Sequence, residues 1–247
     1  MQHQDGSSQI IASTIPNLKS YDPCFAHEVA TIFDYGARRM MQECKNEFYY
    51  ITVGNEKYIN PEASKNVEQQ IIQGGYLFST TEGEIKINLL GSGPILRECI
   101  EAAKILKEEF NIGSNVYSIT SFTELSKQAR EVERSNRLTG REKKEKSFIQ
   151  ELINNDNPIV ATSDYTRAYP QLISSYLPNL FIALGTDGFG RSDTRENLRN
   201  FFEIDKYHLV IATLDALCDQ GLIAKSVLQA TLKKYNINSN SEHPWSK

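Results

Sequence analysis

Residues 180–199 read Leu-Phe-Ile-Ala-Leu-Gly-Thr-Asp-Gly-Phe-Gly-Arg-Ser-Asp-Thr-Arg-Glu-Asn-Leu-Arg, and this stretch is the best guide to the fold. The apolar run 180–184 predicts a buried strand. The stretch 193–202 predicts a helix. Asp193 and Glu196 suit its start, because their carboxylates lie near the positive end of the helix dipole. The turn between the strand and the helix, the glycine loop, contains Gly185, Asp187, Gly188 and Gly190. Such a loop before a helix either binds an anion or turns a tight corner, and the residue pattern favours the corner.

Strands and helices alternate along the chain after residue 64. The apolar patterns predict further strands over 75–80, 84–90, 116–120 and 159–162. They predict helices over 65–72, 94–110, 123–138, 165–177, 207–217 and 225–235. This alternation implies parallel strands with right-handed crossovers, and short apolar strands indicate a sheet covered on both faces. We therefore predict an α/β fold, a three-layer α/β/α sandwich with a mostly parallel sheet.

The amino-terminal part follows a different pattern. Residues 1–21 lack periodicity and predict a loop. Asp22 and Pro23 are a good helix start, so the apolar spacing after them predicts a helix over 23–43. Aromatic and β-branched residues then predict a strand over 48–53.

Length and composition are those of a globular protein. The 247 residues allow one large or two smaller domains, and a polar, proline-containing stretch predicts a boundary near residue 63, giving domains 1–63 and 64–247. A net charge of −4 argues against a nucleic-acid partner, and no apolar run is long enough to span a membrane. The start has neither the basic nor the apolar run of a signal peptide. The four cysteines lie far apart, which argues against a zinc site or disulfide scaffold and suits a reducing cytoplasm.

Motif searches leave few candidates for chemistry. The Gly-Ser-Gly-Pro stretch at 91–94 lacks the third glycine of a dinucleotide fingerprint, so a strand-to-helix turn is the better interpretation. None of the four histidines has metal-binding spacing, and no nucleophile elbow is present. His3 differs from the others because polar residues surround it in sequence; taken alone, it is a frayed terminal residue. The mostly basic run 137–146 predicts a solvated loop, with a docking patch as the alternative.

Several motifs together resemble one enzyme family. They are Gln-His-x-Asp-Gly at 2–6, Thr-Ile-Pro-Asn at 14–17, Ser-Tyr-Asp-Pro at 20–23, Leu-Leu-Gly-Ser-Gly at 89–93, Val-Tyr-Ser-Ile-Thr-Ser-Phe-Thr-Glu-Leu at 116–125 and the stretch 185–199. In this order they resemble the homodimeric, thiamine diphosphate-dependent decarboxylating component of pyruvate dehydrogenase, a transketolase-like family. The resemblance covers almost the whole chain, but only the carboxyl-terminal portion of the family. It implies the tail end of a pyrimidine-binding middle domain followed by a transketolase-like C-terminal domain.

The resemblance also implies a reaction and a candidate catalytic residue. Family members decarboxylate pyruvate and pass the two-carbon unit to a lipoyl group. The residue matching His3 hydrogen-bonds the substrate carboxylate, and imidazole can also shuttle protons near neutral pH. Gln2, Asp5 and Ser8 are candidates to support it. The chain departs from the family pattern nearby: polar, non-titrating residues stand where the family has an acid and two histidines, at Gln4, Ser7 and Gln9.

The implied cofactors are thiamine diphosphate and Mg²⁺ in the complete enzyme. We expect none for this chain alone and no cofactor- or metal-binding residues within it, because the family's Gly-Asp-Gly motif is missing from the sequence. The implied partners are the amino-terminal portion of the same enzyme, a homodimer partner and the lipoyl acetyltransferase, with no nucleic acid or membrane. The implied location is the cytoplasm.

Two functions remain open at this point. The chain is either the carboxyl-terminal part of an enzyme completed by an amino-terminal portion, or a catalytically inactive subunit with a structural or dimerisation role. Residues 1–63 would supply only part of a middle domain, and such a partial domain exposes strand edges and an apolar face. The helix over 23–43 then has little to pack against, although it carries Phe25, Phe33 and Met40.

Overall fold

Two sheets organise the protein, whose structure is a computed structural model that describes residues 5–62, 65–140, 142 and 144–246. The strands are β1 (Leu18–Tyr21), β2 (Phe48–Ile51), β3 (Tyr76–Thr81), β4 (Ile85–Gly91), β5 (Ile112–Ser118), β6 (Ile159–Thr162) and β7 (Phe181–Leu184). The α-helices are α1 (Ser8–Ser13), α2 (Ala26–Ala37), α3 (Glu68–Gln73), α4 (Leu96–Phe110), α5 (Phe122–Thr139), α6 (Phe148–Leu152), α7 (Ala168–Gln171), α8 (Arg195–Phe201), α9 (Lys206–Asp219) and α10 (Lys225–Lys234). A π-helical turn, Arg38–Gln42, extends α2. No helix among these residues is both long and apolar enough to cross a membrane.

The larger sheet has five strands in the order β3-β5-β4-β6-β7. The strands β4, β5, β6 and β7 pair in parallel, and β3 pairs with β5 in antiparallel orientation. Alternate residues of β4 point to opposite faces, so Leu89 contributes to one apolar cluster and Leu90 to the other. The helices α4 and α9 cover the first face, and α5, α6 and α7 cover the second. The predicted α/β sandwich with a mostly parallel sheet is confirmed.

The smaller sheet consists of β1 and β2, which pair in parallel. It belongs to residues 5–62, here called the amino-terminal unit. Hydrogen bonds attach β1 and the following Asp22 to the segment that begins α5, and three of them involve side chains or backbone of residues 19, 20 and 22. Lys19 Nζ lies 2.6 Å from Glu124 Oε2, Ser20 Oγ donates to Thr123 Oγ1 at 3.0 Å, and the Asp22 N–H donates to the Thr120 carbonyl at 2.8 Å. These contacts hold the two sheets against each other.

The predicted loop over residues 1–21 is wrong in its described part, which contains α1 and β1. The helix predicted to start at Pro23 starts instead at Ala26. The side chain of Glu28 explains this shift, because its Oε2 atom accepts the N–H groups of Cys24 and Phe25 at 2.6 and 2.9 Å. Those residues therefore form the turn that leads into the helix.

Two strands of the larger sheet and one helix beside it also differ from expectation. The strand predicted over 116–120 already begins at Ile112, and the helix predicted over 165–177 is reduced to α7 and a separate 3₁₀ turn, Ser174–Tyr176. The strand β7 is half-buried because it lies at the sheet edge. Residues 63 and 64 lie outside the described part, and the division into domains 1–63 and 64–247 stays a prediction.

Candidate functional site

A pocket lies where strands of both sheets end. Asp22 follows β1, Thr52 follows β2, and Asp164 lies just beyond β6; all three line the pocket. Its volume is about 260 Å³. Because ligands of parallel α/β sheets bind outside the carboxyl ends of the strands, this position is the expected one for a functional site.

Asp22 is the most deeply buried acid of the pocket. Its carboxylate accepts hydrogen bonds from Thr52 Oγ1 at 2.6 Å and Ser92 Oγ at 2.8 Å. Burial raises the pKa of Asp22 to about 6, although these two hydroxyl donors oppose the rise. The next residue after Ser92 must be glycine. Gly93 has φ +51°, and a Cβ atom there would lie 2.5 Å from the carboxylate oxygens of Asp22.

Asp164 is the second acid of the pocket. Burial raises its pKa to about 7, and the charge of Asp22 adds to the rise, whereas Arg199 and Arg195 oppose it. None of the described residues donates a hydrogen bond to the Asp164 carboxylate. Two acids with pKa values near 6 and 7 exchange protons close to neutral pH, so the pocket can accept and donate protons.

Both arginines of the pocket are engaged by other side chains. Arg195 donates to Asn55 Oδ1 at 2.6 Å and contacts Glu56 Oε2 at 3.0 Å. Arg199 Nη1 lies 2.9 Å from Glu98 Oε1. The arginine–acid pairs therefore hold α8 against the loop after β2 and against α4.

The predicted site residues fall in two places. His3 and Gln2 lie outside the described residues. Asp5 and Ser8 come together in one turn, because Asp5 Oδ1 accepts the N–H groups of Ser7 at 3.0 Å and Ser8 at 3.4 Å. Partial burial raises the pKa of Asp5, but hydrogen bonds from Ser8 and Ser7 outweigh burial and hold it below the usual value.

The glycine loop turns the chain from β7 towards α8. Asp187 is buried and Gly185 packs against the turn after β6, whereas Gly190 and Asp193 are exposed. The helix cap is Thr194, whose side chain accepts the Asn197 N–H at 3.2 Å. Asp193 instead accepts from the side chain of Asn197 at 2.9 Å. Its pKa is lowered by hydrogen bonds from the Asn197 side chain and the Thr194 backbone.

The pocket acids were not among the residues predicted from sequence. The sequence marks Asp22 as a helix start and as part of the Ser-Tyr-Asp-Pro motif, neither of which indicates a site, and Asp164 follows a short strand without any motif. Their position along the chain was the one usable signal. Asp22 directly follows the last residue of β1, and Asp164 lies two residues after the last residue of β6; both strands are parallel to their neighbours.

Comparison with known proteins agrees with this fold. The profile of the family described as "Transketolase-like TK C-terminal domain" matches residues 74–205, so the chain belongs to that family. The profile of the "Pyruvate dehydrogenase E1 component middle domain" matches residues 1–61. The resemblance to the pyruvate dehydrogenase decarboxylating component, predicted from the motifs, is therefore confirmed.

Curated relatives make the same point along the whole chain. The pyruvate dehydrogenase E1 component of Pseudomonas aeruginosa is 44% identical over 248 residues, which cover 99% of this chain and 28% of the relative. That of Escherichia coli K12 is 44% identical over 247 residues, again with 99% and 28% coverage. The chain thus spans 28% of the length of these relatives.

Solved structures support the fold alone. Transketolase from Pichia stipitis aligns with a TM-score of 0.63 and 15% identity, covering 90% of this chain and 29% of that chain. A chain described as a split gene transketolase, inactive beta4 tetramer, aligns with a TM-score of 0.53 and 18% identity, covering 85% of this chain and 60% of that chain.

Proposed function

We propose that this chain serves as the carboxyl-terminal part of a pyruvate dehydrogenase decarboxylating component. The complete enzyme decarboxylates pyruvate with thiamine diphosphate and transfers the acetyl unit to the lipoyl group of the acetyltransferase component. The observation that carries the proposal is 44% identity along 99% of the chain to proteins of that name. Because the chain spans 28% of those proteins, the proposed activity requires residues from an amino-terminal portion.

Within this enzyme, His3 is the proposed catalytic residue of the chain. An imidazole can hold the substrate carboxylate by a hydrogen bond and can exchange a proton near neutral pH. Gln2, Asp5 and Ser8 are proposed to support it. The ordered turn formed by Asp5 and Ser8 supports this role, because a catalytic side chain needs a fixed backbone beside it.

Thiamine diphosphate and Mg²⁺ are assigned to the complete enzyme. Within the part of the chain that the structure describes, no group of three or more histidine, cysteine, aspartate or glutamate side chains is placed to hold a metal ion. The pocket presents the acids Asp22 and Asp164, and its two arginines, Arg195 and Arg199, are already paired with the carboxylates of Glu56 and Glu98 instead of being directed at a diphosphate. These residues do not fit the cofactor, and no chemical step is assigned to them through it.

The proposed partners are an amino-terminal portion of the enzyme, a second copy and the lipoyl acetyltransferase, in the cytoplasm. The surface of the amino-terminal unit supports the first of these. Phe33 is 69% exposed and Met41 is 80% exposed, and β2 pairs only with β1 among the described strands. An apolar face beside an open strand edge is the kind of surface that further polypeptide covers.

A chimera tests the proposed function. This chain replaces the matching 28% of the Escherichia coli enzyme, and pyruvate-dependent reduction of ferricyanide is measured with thiamine diphosphate and Mg²⁺. We expect turnover, and a loss of about 100-fold or more in the His3→Ala chimera, since general acid–base groups contribute on that order. Asp219→Asn, at the exposed end of α9, is the matched control and should leave turnover unchanged. A folded but inactive chimera would contradict the proposal, and equal turnover in His3→Ala would remove the catalytic assignment.

The second candidate function is an inactive subunit with a structural or dimerisation role. One observation favours it: the split gene transketolase chain with the same fold is described as an inactive tetramer. Sedimentation of the 247-residue polypeptide distinguishes the two candidates when combined with the chimera. A stable oligomer together with an inactive chimera would favour the structural role.

A further inference from the structure

The glycine loop holds the turn that follows β6. Asp187 is 7% exposed, and its Oδ1 atom accepts the backbone N–H of Arg167 at 3.0 Å. Its Oδ2 atom lies 2.8 Å from Nε of the same arginine. Because a backbone N–H bound to a buried carboxylate is a charge-assisted hydrogen bond, this contact should fix the turn more firmly than the half-exposed ion pair does.

The two segments approach each other closely along their backbones. Thr186 donates its N–H to the Tyr165 carbonyl at 2.8 Å and its hydroxyl to the Asp164 carbonyl at 3.1 Å. A Cβ atom at Gly185 would lie 2.3 Å from the Arg167 nitrogen, so only glycine permits this approach. The glycine loop therefore shapes the turn 164–167 through several independent contacts.

The turn 164–167 also contacts the amino-terminal segment of the chain. The Thr166 N–H donates to the Gly6 carbonyl at 2.8 Å. On the other side of this segment, Tyr50 donates its hydroxyl to Ser8 Oγ at 3.2 Å, and the buried Gln9 donates its amide to the Tyr21 carbonyl at 3.3 Å. Residues 6–9 are thus fixed between the turn after β6 and the smaller sheet.

We propose that Asp187 is a positioning residue, which fixes the turn 164–167 and, through Thr166, the backbone of the segment 5–9. This segment begins two residues after His3 in the sequence. The consequence for turnover rests on the proposed function of His3, whereas the structural coupling between Asp187 and the segment does not. The glycine loop would thereby position a segment that lies about 180 residues earlier in the chain.

Hydrogen exchange on the 247-residue chain tests the coupling directly. In Asp187→Ala we expect the amide of Thr166 and the amides of 7–13 to exchange at least tenfold faster, while the amides of α4 keep their rates. Asp187→Asn retains one acceptor and should fall between wild type and Asp187→Ala. Arg167→Ala removes only the exposed ion pair and should change nothing. Asp193→Ala, in the same stretch but without contact to the turn, is the matched control and should also change nothing.

Two exchange patterns would overturn the inference. One is faster exchange at Thr166 with unchanged rates over 7–13, and the other is unchanged rates at both places. If Asp187→Ala accelerates exchange uniformly, including the amides of α4, that variant has lost its fold. The coupling is then tested by comparing exchange over 7–13 in Asp187→Asn and Arg167→Ala. Equal exchange in those two variants would contradict the proposed role.

The chimera separates the coupling from its functional consequence. We expect kcat to fall at least tenfold in Asp187→Ala with the apparent affinity for thiamine diphosphate unchanged, and no fall in Arg167→Ala or Asp193→Ala. If His3→Ala has full activity, the proposed catalytic role of His3 fails, yet the exchange result still stands by itself. If His3→Ala is inactive and Asp187→Ala has full kcat, the positioning role is wrong.

Discussion

Ser92 Oγ lies 2.8 Å from the carboxylate of Asp22, so the end of β4 is joined to the end of β1, 70 residues earlier in the chain. The same carboxylate accepts Thr52 Oγ1 at 2.6 Å, which adds the end of β2. One buried acid therefore connects three strand ends from two sheets. The interface between the amino-terminal unit and the larger sheet depends on the charge state of this acid.

Ser92→Ala should lower the free energy of unfolding at pH 7 by about 1–3 kcal/mol, because it removes a donor from a buried carboxylate. The substitution should also raise the pKa of Asp22 beyond its present value of about 6. The Ser92 hydrogen bond stabilises the charged carboxylate, so its removal favours the protonated form. Urea unfolding at pH 5 and pH 8 measures both effects, and the deficit should be larger at pH 8. Ser126→Ala is the control, because the buried Ser126 hydroxyl has no hydrogen-bond partner among the described residues. Equal effects of the two substitutions would show that the Asp22 contact contributes nothing.

Asp164→Asn should make the protein more stable relative to wild type as the pH rises. The folded pKa of Asp164, about 7, lies above its value in the unfolded chain, so its favourable contribution is complete below about pH 4 and is lost as the pH rises through 7. An asparagine does not titrate, and none of the described residues donates to the carboxylate it replaces. The stability difference between variant and wild type should grow by roughly 4 kcal/mol from pH 4 to pH 8, at about 1.4 kcal/mol for each pKa unit. A difference that does not vary with pH, measured by urea unfolding, would argue against the raised pKa.

Gly188→Ala should release the end of the chain from the glycine loop. Gly188 has φ +114°, and a Cβ atom there would lie 2.7 Å from the Pro244 carbonyl oxygen. Trp245 is the single tryptophan of the protein and follows this contact, so its fluorescence anisotropy reports the change. We expect lower anisotropy and stronger acrylamide quenching. Gly221→Ala also replaces a glycine with positive φ, but it meets no atom within 4 Å and should leave the Trp245 signal unchanged.

The double variant Phe33→Gln and Met41→Gln should reduce binding of an apolar dye to the 247-residue polypeptide without lowering its stability. Both side chains are exposed, at 69% and 80%, so little packing is lost. In the chimera the same face is expected to be covered, and the variant should lower the yield of soluble enzyme. Leu138→Gln, with 64% exposure on α5, is the control and should spare the chimera. Unchanged yield in the double variant would mean that nothing covers this face.

Calorimetry on the 247-residue polypeptide should show no heat of thiamine diphosphate binding, with or without Mg²⁺. The physical reason is that both pocket arginines are paired with carboxylates, while Asp22 and Asp164 add negative charge. The chimera, titrated in parallel, provides the positive control. Micromolar binding by the polypeptide itself would contradict the assignment of the cofactor to the complete enzyme.

Apolar runs predicted the type of most elements of the larger sheet, because strands covered on both faces must be continuously apolar. The start of β5 was missed where Gly113, Ser114 and Asn115 interrupt the run. The strand β1 was missed because it contains Lys19 and Ser20. These polar residues are compatible with a buried strand only through their partners on α5, more than 100 residues later, which no local pattern shows.

The site was less predictable than the fold. Motif resemblance drew attention to His3 and to the glycine loop, whereas Asp164 lies in none of the motifs and Asp22 lies in one that suggested no site role. Burial raises both pKa values, helped by the charge of Glu28 at Asp22 and by the charge of Asp22 at Asp164, and this burial depends on how the two sheets meet. The contact of Asp187 with Arg167 likewise depends on two neighbouring strand ends and not on sequence spacing.

The attachment of β1 to the segment that begins α5 also constrains synthesis on the ribosome. Residues 5–62 emerge before the groups that anchor β1 and Asp22, which reside on Ser92, Thr120, Thr123 and Glu124. At bacterial or eukaryotic elongation rates, the nascent unit waits roughly 3–12 s for these partners. During that interval its apolar helix face and open strand edges are accessible, so this stretch of translation is when a holdase chaperone would engage the chain.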